Sequence, residues 1–125
     1  MSTTVQLLPE TGGSVICLRL TGTIMAQDFV EHWEKPLKAL VKKYGYFNLY
    51  AYYDPAFVTW SKEAADLNFK YFTELGPQCR RFAYVNPPQS RFLMMKLLNP
   101  ILNAEVRYFN EGEQEKALAW VRETL

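Results

Sequence analysis

The sequence predicts an α/β domain: a mostly parallel sheet of four to five strands, an antiparallel strand at its N-terminal edge, and about four helices. Three observations carry this. Residues 46–53, Tyr-Phe-Asn-Leu-Tyr-Ala-Tyr-Tyr, are apolar or aromatic apart from Asn48, the pattern of a central strand covered on both faces rather than one with a wet side. Strand-like runs then alternate along the chain with stretches whose apolar residues recur every three or four positions, and such alternation implies right-handed crossovers between parallel strands. Finally, the runs close on turn formers such as Gly22, Gly45, Asp54-Pro55, Gly76-Pro77 and Asn86-Pro87-Pro88.

Taken in order, 5–8 and 15–21 read as two strands joined through a glycine-containing turn, the short first one at the edge. Between 26 and 44 the period changes. Phe29, Trp33, Leu37, Leu40, Val41 and Tyr44 form the stripe of a helix lying on a sheet. Gly45 suits its C-terminal cap, and Pro36 should kink it or split it in two. Lys35, Lys38 and Lys42 fall on the opposite, solvated face.

Asp54-Pro55 is expected to stop the central strand, because proline cannot donate to a ladder and pushes its predecessor out of helical space. A loop over 55–60 then feeds a helix from about Trp60, with Thr59 serving as a cap and Ala64, Leu67, Tyr71 and Leu75 as its inner face. Residues 80–85 form the next strand, 90–98 a third helix and 104–109 the last strand. Asn110 offers an N-cap with Glu113 three residues on, and Ala117, Leu118, Val121 and Leu125 line the closing helix.

The 125 residues fit a single domain spanning 1–125, and 49% hydrophobic residues supply ample core. Fourteen basic against thirteen acidic residues leave a net charge of +1, which argues against nucleic acid, a partner that needs a one-sign field. No apolar run reaches the roughly 20 residues that span a bilayer, so no membrane insertion is expected. The N-terminus shows no signal-peptide pattern, which points to the cytoplasm. Cys17 and Cys79 fall in strands and read as buried free thiols.

Templates for chemistry fail one at a time. Gly12-Gly13 lies in a hairpin and Gly22 stands alone, so neither a dinucleotide fingerprint nor a P-loop is present, and no cofactor is expected. His32 is the only histidine, adjoining Trp33 in a helix far from either cysteine; it reads as a surface or packing residue rather than a metal ligand. The carboxyl ends of the strands are where ligands sit in open α/β sheets, and there Asp54 and Asn86 are the polar candidates. The loop after Asp54 is unusually apolar, which adds Phe57 and Trp60. In the third helix only Lys96 is polar among residues 92–98. A helix on one face of a sheet should be polar on its other side, so Phe92 and Met95 are candidates for contact with something beyond the chain's own core.

Leu20-Thr-Gly22, Pro36-Leu37, the aromatic stretch ending at Trp60, Arg81-Phe-Ala-Tyr-Val85, Val106-Arg-Tyr-Phe109 and Ala117-Leu-Ala-Trp120 together resemble the SpoIIAA-like proteins of the STAS superfamily, over nearly the full chain. The resemblance implies the sheet already read and a bacterial cytosolic protein, in a branch with some members grouped with CRAL-TRIO lipid-binding domains. Anti-sigma-factor antagonists of this fold carry a phosphorylated serine, preceded by aspartate, where the helix after the third strand begins. Here no serine follows Asp54, and the nearest hydroxyls are Thr59 and Ser61, so the phosphorylation cycle is not carried over.

The expectation is a non-enzymatic binding module that self-associates as a homodimer or engages a protein partner through residues 90–98. Its alternative is a carrier or sensor of a small apolar, lipid-like ligand at the carboxyl edge of the sheet.

Overall fold

In the computed structural model, which describes residues 4–102 and 104–123, five strands form one sheet in the order β1-β2-β3-β4-β5. They are β1 (Val5–Leu7), β2 (Val15–Ile24), β3 (Phe47–Trp60), β4 (Cys79–Val85) and β5 (Glu105–Phe109). β1 runs antiparallel to β2 and every other pair is parallel. The apolar run lies in the middle strand, as its pattern requires. Its one polar residue, Asn48, is fully buried and bridges elements: its amide donates to Val121 O at 2.8 Å and its carbonyl accepts from Arg81 N at 3.1 Å.

The helices are α1 (Ala26–Phe29), α2 (Lys35–Tyr44), α3 (Lys62–Glu74), α4 (Gln89–Leu102) and α5 (Gln114–Arg122), with a π-helical turn Val30–Glu34 joining α1 to α2. Three parallel crossovers that step the same way across a sheet put their helices on one face when each is right-handed. Accordingly α1–α4 share a core with Ile16, Leu18, Leu20, Leu49, Tyr53, Phe82 and Tyr84. α5 alone packs the other face, where Ala117, Trp120 and Val121 meet Cys17, Tyr50, Ala83 and Val85.

Several local expectations are corrected or refined. Asp54-Pro55 does not stop β3, which continues to Trp60. Tyr53 pairs with Leu20 and Phe57 with Gly22, so residues 54–56 loop out opposite Thr21 as a bulge. Pairing with β4 has already ended at Tyr52–Val85, and a bulge without a second neighbour is where a strand tolerates proline. β2 likewise runs on past Gly22 to Ile24. Pro36 does split its helix in two, but through a π turn rather than a break. Lys35 N–H reaches back to Val30 O in the π turn, and α2 resumes with Pro36 in its first turn; the wider turn moves the backbone carbonyl that an interior proline ring would strike. The helix after β3 starts at Lys62, and its cap is Ser61, whose Oγ accepts from Ala64 N at 3.1 Å. Thr59 is paired with Thr23 in the sheet instead. The closing helix starts at Gln114 rather than beside Asn110, whose N–H donates to Glu113 Oε1 at 2.7 Å ahead of the first turn. Leu125 lies outside the described residues.

Both cysteines are free and buried, and burial pushes the Cys17 thiol up to about 11 and Cys79 well above its usual range. Gly45 takes the left-handed conformation (φ 80°) and caps α2 through Val41 O, as its position after the last apolar residue requires.

Candidate functional site

Because β3 outruns β4, residues 53–60 overhang the carboxyl edge of the sheet, with β2 as their strand partner among the described residues. Asn86 closes the step between the two strands. It sits in the left-handed region (φ 55°) that asparagine tolerates, its side-chain amide donates to Tyr53 O at 3.0 Å, and its backbone N–H to Phe109 O at 2.8 Å. Asn86 is therefore a clip at the strand end.

The overhang carries two aromatic residues back over the helical layer. Phe57 meets Tyr53 edge-on at 4.9 Å, and Trp60 stands 6.1 Å from Phe29 and 5.6 Å from Trp33. Both plug the end of the core. Trp60 does more, because it also walls a cleft between α3 and α4 of about 180 Å³, lined by Ala65, Asn68, Ser90, Arg91 and Met94.

Arg91 is the unexpected member of this group. It is only 4% exposed, and it lies on the inward stripe Arg91, Met95, Leu98, Leu102 of α4, at four- and three-residue spacing. Its Nε donates to Tyr53 Oη at 2.9 Å and its Nη2 to Asn68 Oδ1 at 3.0 Å, while Nη1 stands 3.9 Å from Met94 Sδ. The guanidinium lies 5.4 Å from the Trp60 and Phe72 ring centres and 5.6 Å from Tyr84, positions in which ring faces partly compensate a cation. No carboxylate stands within ion-pair distance of it among the described residues. Burial raises the phenols of Tyr53 and Tyr84 above their ordinary range, although the Arg91 charge opposes the shift. Both are neutral at physiological pH and give Arg91 no counter-charge. Arg81, also largely buried, is the contrast: Glu123 lies at 2.8 Å and Glu105 at 3.5 Å.

The other residues singled out from sequence divide around this cleft. Phe92 and Met95 point inward on the far side of α4. Phe92 lies 4.3 Å from the Tyr108 ring, Tyr84 Oη donates to Met95 Sδ at 3.5 Å, and Met95 is only 1% exposed. With Lys96 and Val106 they line an open groove of about 500 Å³ between α4 and β5. The large apolar side chains that α4 turns to solvent are Leu93 and Leu97, 57% and 79% exposed. Asp54 is on the opposite face of the sheet from Trp60. Its carboxylate takes Arg19 Nη2 at 2.6 Å and Ala56 N–H at 2.8 Å, and these partners hold it below the usual carboxylate range. It shapes the bulge and does not reach the cleft.

The sequence profile of the SpoIIAA-like family matches residues 15–122. The chain belongs to the SpoIIAA-like family. Its fold is also that of an uncharacterized protein of the DUF3478 family from Shewanella loihica PV-4, whose crystal structure has a SpoIIAA-like fold; the two superpose with a TM-score of 0.62 at 16% identity, over 94% of this chain and 91% of that one. No curated protein matches the sequence. In this SpoIIAA-like chain the hydroxyl at the start of the helix after β3 is that of Ser61, committed to capping and preceded by Trp60 rather than aspartate. Among the described residues no helix is long and apolar enough to cross a membrane, and no cluster of histidine, cysteine and carboxylates could hold a metal ion.

Proposed function

We propose that this SpoIIAA-like protein is a non-enzymatic binding module that takes up a small, largely apolar ligand in the cleft between α3 and α4 at the carboxyl edge of the sheet. The observation that carries this reading is the cleft itself. It opens where the open α/β fold places ligands, and it combines apolar walls from Trp60, Ala65 and Met94 with a few convergent polar groups from Asn68, Ser90 and Arg91, the usual make-up of a ligand site. Its volume is roughly six times the ~30 Å³ that one water occupies in the liquid, enough for a short chain or a headgroup. Native mass spectrometry of freshly purified protein tests the reading: a retained small molecule is expected, and it should be missing from an Ala65→Trp variant, in which an indole fills the mouth from an exposed helix position.

A second reading rests on Leu93 and Leu97. Leaving such side chains in water forgoes about 1.5–3 kcal/mol each, so the outer side of α4 is proposed as the face that meets a protein partner or a second copy of the chain. Sedimentation over a range of concentrations tests it, with Leu97→Glu expected to abolish any self-association.

A further inference from the structure

The cleft holds one full positive charge, that of Arg91, with no carboxylate among the described residues at ion-pair distance. Building on the reading of this cleft as a ligand site, we propose that its ligand is a small organic monoanion, a carboxylate on a short apolar body, and that the carboxylate pairs with Arg91.

A guanidinium offers five N–H donors and is always charged. Among the described residues Arg91 has the oxygens of Tyr53 and Asn68 within hydrogen-bond distance, the Tyr84 hydroxyl close by, and the Met94 thioether, a weak acceptor. A buried cation is costly unless it is paired and hydrogen-bonded, and in this chain Arg19 and Arg81 both have carboxylates. Arg91 has aromatic faces and neutral oxygens only. Its Nη1 reaches the Met94 thioether and its Nη2 the Asn68 amide oxygen, and both residues line the cleft, so the two terminal nitrogens end at walls of the space a ligand would fill.

Charge count then selects the class of ligand. Among Trp60, Ala65, Asn68, Ser90, Arg91 and Met94 there is one cation and no anion. A single negative charge neutralises the site; a dianion such as a phosphate monoester would leave a surplus charge with no second cation among these residues, and a neutral molecule would leave Arg91 as it is. A carboxylate is the monoanion whose oxygens match guanidinium geometry and accept charge-assisted hydrogen bonds. The Ser90 hydroxyl and the Asn68 amide are the neutral polar groups beside it, and Trp60 with Met94 would flank the apolar part.

The test compares hexanoate with hexanol, two probes of one chain length that differ in charge, by titration followed through the Trp60 indole N–H resonance in the intact protein. Hexanoate should bind about tenfold or more tightly than hexanol, the range expected for hydrogen bonds to a charged group. Arg91→Gln should remove that preference and leave hexanol binding in place, and Ala65→Trp should block both probes. If Arg91→Gln does not fold, the comparison of the two probes on the unaltered protein decides alone. Equal binding of the two, blocked by Ala65→Trp, would overturn the carboxylate inference and leave the cleft standing as an apolar ligand site. Binding of neither would remove both.

Discussion

Arg91 Nε donates to Tyr53 Oη at 2.9 Å, and both side chains are closed off from solvent. The bond ties the first turn of α4 to the middle strand at the residue where β3 leaves β4. Tyr53→Phe keeps the ring and removes the acceptor, so it should cost about 1.5–3 kcal/mol, the range for a hydrogen bond to a charged group. Urea denaturation should show a lowered midpoint at unchanged slope. A loss below the scatter of the measurement would mean that Arg91 finds another acceptor.

Ser61, rather than Thr59, caps α3. Ser61→Ala should therefore cost about 1 kcal/mol, while Thr59→Ala, at an exposed position of β3, should cost clearly less. Paired thermal melts of the two variants give the order directly.

Met95 and Leu97 stand two residues apart on α4 in opposite surroundings. The sequence makes Met95 a candidate for contact beyond the chain's own core, a position at which a charge would leave the fold intact. Its 1% exposure reverses that. A carboxylate there should cost more than the ~2–5 kcal/mol of truncating a buried methionine to alanine, whereas Leu97→Glu should leave the melting temperature within the small range of surface substitutions. Circular dichroism melts of both variants separate the inner side of α4 from its outer side.

Two aspartates contribute to the acid limit, alongside Glu34, which despite partial burial its Tyr71 and Lys38 partners also hold low. Asp28 is held below its ordinary value by the Thr4 hydroxyl, with Oδ2 also accepting Thr4 N–H at 3.0 Å, and Asp54 by Ala56 N–H and Arg19. With folded values depressed, their stabilisation is fully present above the unfolded aspartate value of about 3.9 and is lost as pH falls through the folded ones. Stability should be flat with respect to these two groups from neutral pH to about 5 and decline below about 4. Asp28→Asn and Asp54→Asn should each flatten that decline, and Asp54→Asn should leave ligand binding unchanged because the carboxylate is not in the cleft.

Most of the fold is legible in the sequence because burial on a sheet and on a helix imposes different periods. The run from Phe47 to Tyr53 could only be central, and the stripe Phe29, Trp33, Leu37, Leu40 could only lie on the sheet. The extension of β3 was hidden, because proline normally marks a strand's end and only the shorter β4 frees Pro55 from needing a donor. The cleft was half visible. Trp60 is conspicuous as an aromatic residue at a strand end, and Arg91 interrupts the inward stripe four residues before Met95, a readable sign of a buried charge. That Tyr53, Asn68 and Trp60 gather around it depends on how α3 and α4 meet, which no single segment encodes.

The π turn at Val30–Glu34 fixes how many residues the chain may have between Phe29 and Leu37. A π turn holds one residue more than an α turn, so deleting Glu31 would give a locally regular helix with better hydrogen-bond geometry. Winding the same residues as a regular α-helix, with nothing deleted, would instead rotate everything after the turn by about 100°, one residue's share of a 3.6-residue turn. Leu37 and Leu40 would swing out of the core, and the exposed Lys38 would turn toward it. The irregular turn is thus a spacer, kept because the two halves of this helix must face the same sheet.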